Sequence, residues 1–116
     1  MNRFIYKIAT RDEWQAAEQA GRFDGAPVDL KDGFIHFSTA GQVRETAARH
    51  FGGQGDLVLV EIEAQALGEA LKYEASRGGA LFPHLYARLD LTAVTRSWPL
   101  PLGEDGHHVF PPEIGA

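Results

Sequence analysis

Two short segments concentrate the side chains that could do chemistry. The first is Gly33-Phe34-Ile35-His36-Phe37-Ser38-Thr39. Residues two apart share a face of a strand, so Phe34, His36 and Ser38 line one side, with Ile35 and Phe37 on the other. The second is Phe82-Pro83-His84-Leu85-Tyr86-Ala87-Arg88, in which Phe82, His84, Tyr86 and Arg88 share a face. Each segment offers an imidazole, a hydroxyl and an aromatic wall. Such a face can stack a flat ring and hydrogen-bond a sugar or a phosphate, and histidine can donate, accept or shuttle a proton near neutral pH. On residue type alone the commoner role is structural, a buried His or Tyr satisfied by backbone partners.

Other candidates are weaker. Lys7 sits among apolar neighbours in a strand-like run. It reads as an edge lysine that blocks aggregation, or else as an anion contact reaching into a pocket. Glu61 and Glu63 share a strand face and are expected at a solvated strand end. His107 and His108 are adjacent, so they point opposite ways on a strand and make a poor ligand pair. The sequence has no H-E-x-x-H or other zinc-type spacing, and no G-x-S-x-G elbow. Gly52-Gly53-Gln54-Gly55 precedes a strand instead of opening a helix, unlike a dinucleotide fingerprint or a P-loop. No metal is expected.

The elements that must position these groups are legible in outline. Phe4 to Ala9 reads as a strand, and Thr10-Arg11-Asp12-Glu13 as a capping box. The helix that follows carries Trp14, Ala17 and Ala20 and stops at Gly21. Arg22 to Lys31 reads as loop, punctuated by Gly25 and Pro27. Gly33 to Ser38 reads as a second strand. Thr39-Ala40-Gly41-Gln42 fits another capping box, leading into a helix with Val43, Thr46, Ala47 and His50 along one side. Asp56 to Glu63 is the clearest strand and is expected to be central, buried on both faces. A helical turn at Ala64 to Ala70, a strand at Leu71 to Glu74 and a glycine-rich loop at Ser76 to Ala80 follow. Then come an extended piece at Leu81 to Leu89, a strand at Val94 to Trp98, and a loop tail with a short strand at 108–110. The order suggests an α+β fold.

Composition sets the outer bounds. The 116 residues fit one domain, 1–116, large enough to bury a core. Lys and Arg total 11 against 16 Asp and Glu, a net charge of −5, which disfavours an extended nucleic-acid partner. There is no Cys, hence no disulfide, thiolate nucleophile or Cys-based metal site. The longest aliphatic run, Leu57-Val58-Leu59-Val60, is too short to span a membrane, and no apolar signal segment opens the chain. A cytoplasmic location is expected.

In order along the chain stand Tyr6-Lys7-Ile8, Trp14 with its helix, Gly33 to Thr39, Gln42-Val43, Asp56 to Val60 and Phe82-Pro83-His84-Leu85-Tyr86. Together they resemble a bacterial family catalogued as domain of unknown function 952. The resemblance covers about residues 4 to 112, and Ala87 departs from the expected glycine after Tyr86. It implies a relation to the ADP-ribosyltransferase-like fold, a small split, twisted β-sheet core with flanking helices that binds NAD between its sheets. In the RNA 2′-phosphotransferase branch of that fold, histidines on the first two strands contact the dinucleotide. The matching positions here are Lys7, which departs from His, and His36. Phe37-Ser38-Thr39 is similar to the second-strand motif of toxin-type members, whose hydroxyls support the NAD site. The toxins' catalytic Glu has no match, since Glu61-Ile62-Glu63 falls on too early a strand. A glutathione-transferase label carried by some members finds no support in a chain this short.

The expectation is therefore an NAD- or nucleotide-sized cleft, with ADP-ribosyl or phosphoryl transfer as the activity the resemblance implies. His36, His84 and Tyr86 would be its catalytic groups, and Lys7, Ser38 and Thr39 its binding groups, with NAD as the cofactor implied by the resemblance. Replacing His36 by Ala is expected to abolish binding with little loss of fold. The rival expectations are a binding module without turnover and an interaction domain with structural His and Tyr.

Overall fold

A computed structural model describes residues 3–114. In chain order its elements are β1 (Phe4–Thr10), α1 (Arg11–Ala20), β2 (Arg22–Phe23), α2 (Pro27–Asp32), β3 (Ile35–His36), α3 (Val43–His50), β4 (Leu57–Glu63), β5 (Leu71–Ala75), β6 (Leu81–Leu85), β7 (Leu89–Asp90) and β8 (Val94–Leu100). Short 3-10 turns join several of them. The result is a mixed α+β fold built on small antiparallel sheets.

One sheet has the order β1-β4-β8 and another the order β3-β6-β5. They meet at one bridge. Tyr6 N donates to Ser38 O (2.8 Å), and Ser38 N donates back to Tyr6 O (2.9 Å). A third, two-stranded sheet pairs β2 with β7.

β4 is central, as its apolar composition requires. Val58, Val60 and Ile62 pack with Ile5, Trp14, Phe23, Ile35, Phe37 and Leu85. Leu57 and Leu59 pack on the other face with Tyr6, Ile8, Val43, Ala47 and Leu100. Each side chain of this size, fully buried, contributes about 1.5–3 kcal/mol.

α1 begins where its capping box says. Thr10 Oγ1 accepts from Glu13 N (3.1 Å), and Glu13 Oε1 accepts from Thr10 N (3.0 Å). The second box is half present. Gln42 Oε1 accepts from Thr39 N (3.0 Å), but the helix starts only at Val43.

The largest departure is at 22–31, which holds a strand and a helix instead of a loop. α2 starts with Pro27, whose missing N–H costs nothing at a first helical position. Its N-cap, Ala26, has no capping side chain, so Asp29 reaches back and accepts from Ala26 N (2.7 Å). Gly25 is required there. Its φ is +125°, and a Cβ on it would meet Asp29 Cβ at 2.9 Å.

Three other expectations shorten. The second strand is reduced to Ile35–His36 plus the Ser38 bridge. The extended piece ends at Leu85, because Tyr86 N turns away to bond Ala70 O (2.8 Å). Arg88 therefore leaves the His84 face and lies exposed beside Asp24. At 108–110 there is a single bridge, Leu102 to His108, and no strand.

Candidate functional site

A cleft of about 480 Å³ opens beside the Tyr6–Ser38 join. That volume lies in the range of small-molecule and cofactor sites. His36, His84, Lys7, Ser38, Asp32 and Phe82 are among its walls. Four of the six expected site residues therefore meet there. Tyr86 and Thr39 do not line it.

His36 arrives on β3 and turns its ring towards α2. Nδ1 lies 2.6 Å from Asp29 Oδ1, and Nε2 lies 2.9 Å from Asp32 Oδ2. A carboxylate only accepts, so an imidazole that serves both donates from both nitrogens. Asp29 also accepts from His36 N (3.1 Å). The ring is about a third exposed, whereas the Asp29 side chain is 1% exposed.

Lys7 is buried in the cleft wall and does not project from an open edge. It is 6% exposed, and its ammonium donates to Asp29 Oδ1 (3.1 Å), Asp29 Oδ2 (2.9 Å) and His36 O (3.0 Å). An ammonium has three donors, and all three are used. Burial pulls the Lys7 ammonium below its ordinary range, against the pull of the Asp29 charge. Burial also opposes charge on Asp29. The hydrogen bond from His36 and the charge and hydrogen bond of Lys7 outweigh it and hold the carboxyl down at about 2.

His84 is organised differently. It is buried on β6, and Nδ1 donates to Glu74 Oε1 (2.8 Å) on the neighbouring strand β5. The Tyr86 hydroxyl donates to the same oxygen (2.7 Å). These two bonds hold the Glu74 carboxyl below its ordinary range, and the bond to Glu74 pushes the Tyr86 hydroxyl up. Phe34 stacks on His84, with centroids 4.1 Å apart and planes 24° apart. The His36 and His84 rings stand 5.5 Å apart, edge to face. No described residue bonds His84 Nε2.

The remaining candidates take supporting places. Ser38 is buried, with its hydroxyl 2.8 Å from Thr46 Oγ1. Thr39 sits at the turn into α3. Tyr86 is 44% exposed, with its ring 5.3 Å from Phe34.

Glu61 is not at a solvated strand end. It is 1% exposed, and its carboxylate accepts from Tyr6 Oη (2.9 Å), Thr95 Oγ1 (2.6 Å), and Arg96 Nε and Nη2 (both 3.1 Å). Tyr6 and Arg96 are its register partners on the two flanking strands. Burial opposes the Glu61 charge, but the bonds from Arg96, Thr95 and Tyr6 prevail and lower its pKa. Burial and then Glu61 push the Tyr6 hydroxyl up.

Three residues of the site carry no single-residue signal in the sequence: Asp29, Asp32 and Glu74. For Glu74 a pairing signal exists. Closing a hairpin through the glycine-rich 76–80 loop places Ala75 opposite Leu81, Glu74 opposite Phe82 and Lys72 opposite His84. Glu74 is thus diagonal to His84 on one face, within reach of a long side chain.

Residues 8–97 match the model of a family described as protein of unknown function (DUF952). The fold is similar to the crystal structure of protein CC0527 from Caulobacter crescentus. That match has a TM-score of 0.92 at 53% identity and covers 97% of this chain and 99% of that one. The solution structure of CC0527 matches with a TM-score of 0.81 at 58% identity over 90% of each chain. No curated protein matches. Among the described residues, no helix is long and apolar enough to cross a membrane.

Proposed function

We propose a function from the site itself, because the chain belongs to the DUF952 family, a family of unknown function. The cleft binds a nucleotide-sized ligand, NAD by preference, and its chemistry is transfer of the ADP-ribosyl group. The observation that carries this reading is the pair of imidazoles on one cleft, each fixed through Nδ1 by a carboxylate.

The finer fold reading is ADP-ribosyltransferase-like. Its support is the split core, two three-stranded antiparallel sheets joined at Tyr6 and Ser38 with the cleft at the join. Further support comes from the two positions that the resemblance aligns with dinucleotide contacts. Lys7 and His36 touch, with Lys7 Nζ 3.0 Å from His36 O. Lys7 then acts by fixing β3 rather than by touching ligand.

In this reading His36 and Ser38 face the ribose and diphosphate, while Phe82 and His84 give the flat walls. Tyr86 acts through Glu74. Loss of nicotinamide leaves a ribosyl cation, so orientation and exclusion of water govern the rate. The Asp32 carboxylate at the cleft stabilises the developing positive charge.

A second reading is a binding module without turnover. The full commitment of Lys7 and His36 to Asp29 and Asp32 favours it, because groups so engaged are not free to react.

Thermal melting with and without millimolar NAD or ADP-ribose tests the binding step. A ligand at 100 times its dissociation constant adds about 2.7 kcal/mol. For a chain of this size the midpoint should rise by several degrees. The absence of any shift at reachable concentrations rejects NAD. A shift without nicotinamide release selects the second reading.

A further inference from the structure

We infer that the acceptor in this transfer is a neutral hydroxyl, water or an alcohol, and that His84 takes its proton while Glu74 positions His84. The inference rests on the NAD reading of the cleft and adds the acceptor class and the base.

The Glu74 carboxylate can only accept, so His84 Nδ1 is the protonated nitrogen in their 2.8 Å bond. In the neutral ring the lone pair then lies on Nε2, which no described residue bonds, on a ring that lines the cleft. A neutral imidazole oriented through Nδ1 by a carboxylate is built to accept a proton at Nε2. The ring cannot easily turn away. Phe34 stacks on it at 4.1 Å, and the Tyr86 hydroxyl secures Glu74 at 2.7 Å.

A base is useful only where a proton must leave. A phosphate acceptor is already anionic and needs cationic donors instead. Among the described residues of the cleft the only Lys or Arg is Lys7, and its three donors are spent on Asp29 and His36 O. Asp32 adds negative charge to the same wall. His36 is taken up by the diphosphate of NAD in this reading, so the described residues leave no Lys or Arg for an anionic acceptor, and the cleft suits a neutral one.

The step balances without a redox partner. The acceptor oxygen bonds to C1 of the nicotinamide ribose. The bond from C1 to the nicotinamide nitrogen breaks, and its electron pair leaves with neutral nicotinamide. The hydroxyl proton passes to His84 Nε2.

The test incubates the full chain with NAD and follows nicotinamide release and the ADP-ribosyl product, with methanol or inorganic phosphate added. Methanol should divert product to the methyl riboside, and phosphate should not. His84→Ala should lower release by about 10²–10⁴-fold. Free imidazole should restore part of it, which loss of a merely structural ring would not allow. Should His84→Ala fail to fold, Glu74→Gln carries the test, because it should slow release while keeping the NAD-induced melting shift. Diversion of product by phosphate overturns the inference. So does a folded His84→Ala variant that imidazole does not rescue, or wild-type protein that shifts on NAD yet releases no nicotinamide. A wild-type protein with no melting shift overturns the NAD reading, and this inference with it.

Discussion

His36 and His84 stand on adjacent strands, line the same cleft, and each faces a carboxylate through Nδ1. They differ in what remains. Both nitrogens of His36 are engaged, and its principal partner, Asp29, is buried with Lys7 behind it. Glu74 is half-buried, and one nitrogen of His84 is bonded by no described residue. The same residue type therefore serves two ends. One imidazole ties α2 to β3 and holds the cleft wall in place. The other keeps a nitrogen that, in the proposed function, faces the ligand. Residue type marks a candidate, and unspent hydrogen-bonding capacity separates chemistry from scaffolding.

The comparison breaks most visibly at Asp29. Asp29→Ala leaves Lys7 as a buried, uncompensated cation and strips Ala26 N and His36 N of their acceptor. Such a loss costs about 3–5 kcal/mol. Urea titration should show it as a lower midpoint. A variant as stable as wild type would show that the cluster is not structural.

Acid should act on the same carboxylate with a smaller effect. The folded Asp29 carboxyl is held at about 2 against an ordinary 3.8, so its contribution is intact above 3.8 and is lost as pH falls towards 2. A shift of that size corresponds to about 2 kcal/mol. Stability measured from pH 5 to pH 2 should fall through this window, and the fall should flatten in Asp29→Asn.

His36→Ala comes next. It removes the imidazole that bonds Asp29 and Asp32 and should cost about 1–3 kcal/mol. Binding loss stays expected, and the cost in stability replaces only the expectation that the fold loses little. Hydrogen exchange should rise in α2 and stay unchanged in β4. Protection lost uniformly would point to a global role instead.

Tyr86→Phe is the mildest. The hydroxyl is one of two donors on Glu74 Oε1, and His84 remains as the other. The melting midpoint should hold, and nicotinamide release should fall less than in Glu74→Gln. A larger fall than in Glu74→Gln would mean that Tyr86 touches the ligand directly.

Much of the framework is legible because it is written locally. Thr10 and Glu13 announce α1 three residues apart, Gly21 ends it, and the apolar run from Leu57 marks the doubly covered strand β4. The alternation Phe34, His36, Ser38 against Ile35, Phe37 also holds, since Ile35 and Phe37 enter the core. What fails is non-local or disguised. Gly25 and Pro27 read as loop punctuation, although Pro27 at a first helical position and Gly33 just past Asp32 are also the marks of a short helix. Lys7 meets Asp29 across 22 residues, and no spacing rule links them. Glu61 reads as solvated only until Tyr6 and Arg96 are placed opposite it on both sides.

The most direct measurement is nitrogen NMR of the histidine imidazoles during an NAD titration. The His84 Nε2 resonance should move saturably as NAD is added, while Nδ1 keeps the signature of a proton shared with Glu74. A His84 Nε2 signal that stays fixed while NAD reaches millimolar concentration would contradict a ligand-facing His84 and leave it part of the scaffold.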